Sequence, residues 1–76
     1  MSVFSDLLNH YIKEKDIKIY SLAAACQMDR SMLYRIISGK RNPPSQEVFY
    51  KLAEYLQLAP AEFAKLQDAY DLTRLG

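Results

Sequence analysis

Residues 19–42, IYSLAAACQMDRSMLYRIISGKRN, allow very few folds. Leu22, Ala23 and Cys26 fall at i, i+1 and i+4, which is one buried face of a short helix. Leu33, Ile36 and Ile37 fall at i, i+3 and i+4 and give a second helix a face of the same kind. Only Gln27, Met28 and Asp29 separate the two, so a tight turn joins them. The small side chain of Ala23 lets the helices cross closely, and apolar Met28 sits inside the turn. Asp29 is placed to cap the second helix by accepting from its free N–H groups. Gly39 is placed to end it, because glycine takes the left-handed conformation that a helix terminus often needs.

Helical periodicity also organises the flanks. Phe4, Leu7, Leu8, Tyr11 and Ile12 form a stripe that predicts a helix over 2–15, with Ser2 as its cap. Asp16, Ile17 and Lys18 make a short polar link with one apolar anchor. After Gly39, Pro43 and Pro44 forbid helix and stiffen the loop. Ser45 then caps a helix whose buried stripe is Val48, Phe49, Leu52, Ala53 and Leu56. Glu47 stands in its first turn, where negative charge suits the helix dipole. Pro60 suits the first position of a last helix. The apolar side of that helix is Phe63, Leu66, Ala69 or Tyr70, and Leu72. The predicted helices are therefore 2–15, 19–26, 29–38, 45–57 and 60–72. The predicted fold is all-α, a compact five-helix bundle in one domain spanning 1–76.

Seventy-six residues bury only about 60% of their unfolded surface, so the chain needs an efficient core or a partner. One cysteine cannot close an internal disulfide, which fits a reducing, cytoplasmic setting. No apolar run nears the ~20 residues of a membrane span, and the N-terminus lacks the basic-then-apolar pattern of an export signal. The sequence offers no acid pair, metal cluster, phosphate loop or catalytic triad, so no enzymatic activity, metal or cofactor is expected. His10 has no second ligand at metal spacing and reads as a surface or half-buried residue. Cys26 reads as core and not as a nucleophile, and Met28 and Met32 as core or boundary. The net charge of +1 hides an uneven distribution, with +3 on residues 1–41 and −2 on residues 42–76. Between Arg30 and Arg41 there are four basic residues and no acid. Such a local basic surface attracts phosphates.

The paired helices and their exit, Arg35-Ile36-Ile37-Ser38-Gly39-Lys40-Arg41-Asn42-Pro43, resemble the phage-repressor and Cro-like helix-turn-helix group, the XRE family. The run Lys51-Leu52-Ala53-Glu54-Tyr55-Leu56, followed by Pro60-Ala61-Glu62-Phe63, is similar to that family's last two helices. The resemblance covers about residues 17–66. It implies a lambda-repressor-like DNA-binding domain with the helix-turn-helix formed by helices 2 and 3. It further implies that helix 29–38 enters the major groove of double-stranded DNA with its N-terminal end foremost. Arg30, Ser31, Tyr34 and Arg35 are then the candidate base contacts, the arginines through guanine O6 and N7. Lys40, Arg41 and Asn42 are candidate backbone contacts, a basic clamp on phosphates. Many relatives carry a phosphate-touching glutamine where Ile19 stands, so that contact either passes to Tyr20 or Lys18 or is absent. Many also carry glycine where Gln27 stands, so either Gln27 takes the left-handed conformation at a cost of about 1 kcal/mol or the turn differs slightly.

The function implied is a sequence-specific DNA-binding transcriptional regulator. Each arginine taken alone could equally be a solvated helix residue or be paired with Asp29 or an acid of the first helix. Such modules usually bind two half-sites, so a homodimer on DNA is expected. The last helix, with Phe63, Leu66, Tyr70, Leu72 and Leu75, either supplies the dimer surface or closes the core. The competing class is a protein-interaction domain on the same scaffold, without DNA binding. The final residues Asp71-Leu72-Thr73-Arg74-Leu75-Gly76 do not taper into a polar tail, which a following domain would explain.

Overall fold

The computed structural model describes residues 3–40 and 44–75. It contains five helices, α1 (Val3–Glu14), α2 (Ile19–Ala25), α3 (Arg30–Ile37), α4 (Gln46–Leu56) and α5 (Pro60–Leu75). No strand occurs among the described residues. The first four helices lie within one residue of their expected bounds, whereas α5 runs three residues past 72. Thr73 explains the extension. Its hydroxyl donates to Ala69 O at 2.9 Å and accepts from the Phe4 N–H at 3.4 Å, so the last turn of α5 covers the first turn of α1. At the other end Lys15 Nζ donates to Glu62 Oε1 at 3.1 Å. The two contacts make α1 and α5 antiparallel.

The core gathers one apolar stripe from each helix: Phe4, Leu8 and Ile12 from α1, Leu22 and Ala23 from α2, Leu33 and Ile36 from α3, Phe49, Leu52 and Leu56 from α4, and Leu66, Ala69 and Tyr70 from α5. Its centre is aromatic. Phe49 stacks on Tyr70 at 4.4 Å between ring centroids, and Phe4 meets Tyr70 edge-on at 5.4 Å. Such pairs stabilise beyond the area that they bury. The Tyr70 hydroxyl donates to the Pro44 carbonyl, which fastens the start of α4 to α5. Leu66 and Tyr70 are thus spent on the chain's own interior and present nothing to a second copy; Phe63 is half-buried and Leu72 is exposed.

Three helix ends share one device. Asp16, Gln27 and Gly39 all have positive φ, at 54°, 56° and 77°. Each donates its N–H three residues back, and the following residue donates five back: Ile17 to Ile12 O at 2.9 Å, Met28 to Ala23 O at 3.0 Å, Lys40 to Arg35 O at 3.1 Å. This is the Schellman arrangement, which satisfies carbonyls left open at a helix end. Only one of the three uses glycine. Gln27 therefore carries the strain expected of it, and Gln27→Gly should raise stability by about 0.5–1 kcal/mol, a few degrees in a thermal melt. A lower melting temperature would show that its side chain, which accepts from Lys51 Nζ at 3.4 Å, matters more than its backbone.

Helix starts are less uniform. Ser45 caps α4 as expected, accepting from the Val48 N–H at 3.4 Å. Asp29 occupies the N-cap of α3 with extended backbone, but its side chain accepts no hydrogen bond from the helix. Its carboxylate is exposed and stays hydrated, so the expected cap is not made. At α5 the order is reversed: Ala59 has no capping side chain, and Glu62 Oε1 reaches back to the Ala59 N–H at 2.9 Å. That bond first, and then Lys15, hold the Glu62 carboxyl below its ordinary value. Ser2, expected to cap α1, lies outside the described residues.

Burial pushes three groups up: the phenols of Tyr11 and Tyr70 and the thiol of Cys26. Each binds its proton more tightly in the folded chain than in the unfolded one. The stability this provides is complete below the unfolded pKa and is lost as pH climbs through the folded one. A urea midpoint should stay level through neutral pH and fall from about pH 9 upward. A midpoint that rises in alkali would contradict the burial of these groups.

Candidate nucleic-acid interface

α3 is anchored on one side and open on the other. Leu33, Ile36 and Ile37 are buried, and α3 packs against α1 and α2. The turn that delivers it is Cys26 to Asp29, with Met28 half-buried against the core. At 100° per residue, Ser31 and Arg35 point directly away from the interior, flanked by Tyr34 and Met32. All four are exposed, Tyr34 by 53%. At that exposure Tyr34 fills no groove between helices and is open to a ligand. Arg30 stands one turn before Leu33, on the inner side of the wheel. It is nonetheless exposed, because it is the first residue of the helix and nothing covers that end.

The electrostatics favour a free cationic surface. Among the described residues neither Arg30 nor Arg35 takes part in an ion pair; the three that occur are His10–Glu14, Lys15–Glu62 and Lys51–Glu47. Asp29, the acid nearest in sequence, is exposed and engages neither arginine. Lys40 is exposed at the opposite end of α3, about 12 Å from the Arg30 end by helix rise. Tyr20 is exposed by 59% in the first turn of α2, and Lys18 at that helix's N-cap is exposed as well. Ile19 is half-buried against the core, where it could not touch a phosphate. Arg41 and Asn42, the other expected backbone contacts, lie outside the described residues.

Met32, expected in the core or at its boundary, is instead 37% exposed and adds an apolar thioether to the outer side of α3. One feature was not read from the sequence. Asn9 joins α1 to the end of α3, its Nδ2 donating to Ser5 O at 3.1 Å and to the Ile37 carbonyl. Its signal was a polar pair, Ser5 and Asn9, spaced i, i+4 along the edge of an apolar stripe.

The remaining chemistry-bearing residues stand elsewhere. His10 is exposed beside Glu14, with Nε2 to Oε2 at 3.3 Å. Cys26 is buried and its thiol is held in the neutral form, so it belongs to the core. No three His, Cys, Asp or Glu are gathered to hold a metal among the described residues. The groove between α2 and α4 carries Lys51, Glu54 and Tyr55, and no residue of α3 lines it.

Five helices, with the second and third joined by a four-residue turn and a cationic outer face on the third, define a helix-turn-helix domain. The family model described as helix-turn-helix matches residues 8–63, and the chain belongs to that family, of XRE type. It is a family of DNA-binding transcriptional regulators, typically non-enzymatic. No curated protein and no solved structure matches the chain. No helix among the described residues is long and apolar enough to cross a membrane.

Proposed function

We propose that this domain is a sequence-specific regulator of transcription that reads double-stranded DNA with α3 in the major groove. The observation that carries the reading is the state of α3: its apolar side is locked into the core while Arg30, Ser31, Tyr34 and Arg35 are open to solvent and unpaired by acids among the described residues. Arg35 and Arg30 donate to guanine edges, Ser31 reads a base edge or holds a phosphate, and Tyr34 packs on a sugar or a thymine methyl or donates to a phosphate. Tyr20 and Lys40 hold phosphates on either side, with Arg41 and Asn42 continuing the clamp. One module of this size makes few contacts, so it acts as a homodimer on two half-sites about one helical turn apart. A lone buried thiol suits work in the cytoplasm.

The test is selection of bound sequences from random DNA, followed by titration of the selected site across a range of salt. A recurrent half-site repeated at a spacing near 10 base pairs, with affinity falling as salt rises, supports the reading. Failure to enrich any sequence, together with no salt-dependent binding to mixed genomic DNA, would transfer the domain to the class of protein-interaction scaffolds.

A further inference from the structure

The last turn of α3 leaves four carbonyls that the helix itself cannot satisfy. Three are met by the chain that follows directly: Tyr34 O by the Ser38 N–H at 2.9 Å, Ile36 O by Gly39 at 3.2 Å, and Arg35 O by Lys40 at 3.1 Å. The fourth, Ile37 O, is met from another element, by the Asn9 side chain of α1, across 28 positions of sequence. The same amide nitrogen donates to Ser5 O within α1. Both acceptors are carbonyls, so the amide can face them only with its nitrogen; the flipped amide would set three oxygens against one another. Asn9 is partly buried, which shields these bonds from water. The apolar contacts of Leu33, Ile36 and Ile37 hold α3 to the core but are tolerant of sliding and rotation. A hydrogen bond of fixed direction is not.

We propose that Asn9 is a positioning residue for base reading, fixing the rotation and height of α3 against α1 and so the pose in which Ser31, Tyr34 and Arg35 meet a base pair. This rests on the DNA-reading function proposed above. Contacts to phosphates bear small displacements, whereas paired hydrogen bonds to a base edge do not. Losing the Asn9 bond should therefore blunt discrimination more than it weakens general attraction to DNA.

Asn9→Leu tests this. It removes the donors, keeps the charge and the branched heavy-atom shape, and does not weaken α1, because leucine is the better helix former. Measured below the melting transition, the variant should bind the selected site about 3- to 10-fold more weakly than wild type, with binding to mixed genomic DNA changed by less. The loss should shrink when Arg35→Ala is already present, because Asn9 acts through the pose of that arginine. An unchanged ratio of selected to mixed DNA affinity, or a loss that simply adds to that of Arg35→Ala, would overturn the assignment even if the melting temperature drops. Asn9→Ala carries the same comparison should the leucine variant fail to fold. A wild-type domain with no preference among sequences would instead refute the DNA-reading function itself.

Discussion

Replacing Arg30 and Arg35 together by alanine is expected to lower affinity for the selected DNA site by about 30-fold or more, while leaving the fold intact. A bidentate contact from arginine to guanine contributes about 1–3 kcal/mol, and two such contacts are removed. Both side chains are exposed and free of ion pairs among the described residues, so their loss costs the folded protein little. Helicity and melting temperature should thus match wild type within about a degree or two. The single variants should differ in kind: the one that touches a base should relax selectivity at one position of the site. A variant that only loses a phosphate contact should weaken all sequences alike and flatten the salt dependence. Full retention of affinity in the double variant would mean that the outer side of α3 does not read DNA.

Phe49→Ala should cost about 3–5 kcal/mol, the range for truncating a buried phenylalanine. Phe49 has no exposed surface and lies 4.4–6.0 Å from the rings of Tyr70, Tyr50, Phe63 and Phe4. At roughly 0.05–0.15 kcal/mol per residue, a chain of this length has about 4–11 kcal/mol to lose. The variant should therefore melt roughly 15 °C or more below wild type, or show no cooperative transition at all. Tyr50→Ala, one residue on, is the control. Tyr50 is half exposed, and its truncation should cost less than about 1 kcal/mol. Equal losses in the two variants would mean that the aromatic cluster is not the centre of the core.

The two predictions draw on different layers of what the sequence disclosed. Period-3.6 stripes identified most of the buried residues of each helix, because burial imposes a pattern over many residues at once; Leu72, placed on the apolar side of the last helix, is exposed, and Leu7 and Val48 are only half-buried. The paired stripes around Gln27, Met28 and Asp29, with Gly39, located the helix-turn-helix for the same reason. Polar contacts between distant elements were not legible. Nothing in the spacing of Asn9 and Ile37, Lys15 and Glu62, or Tyr70 and Pro44 marks them as neighbours; they meet only once the helices have packed. Asp29 shows the complementary limit. Its residue type suits a cap, yet an exposed carboxylate is served as well by water, and type alone does not decide between the two. Arg30 is the mirror case at the interface: its wheel position is an inner one, and it is free only because α3 begins there.

The match to the family stops at residue 63, and it begins at residue 8. Phe4 on one side, and Leu66, Ala69, Tyr70 and Thr73 on the other, are outside it, yet they fill or seal the interior on which α3 rests. The recognisable motif is accordingly not a separable unit of folding in this protein. A truncation trimmed to the matched segment would strip the aromatic centre of two of its three tightest rings and leave Phe49 facing water. The smallest autonomous piece has to keep both outer helices, so the chain's most distinctive residues depend for their shape on its least distinctive ones.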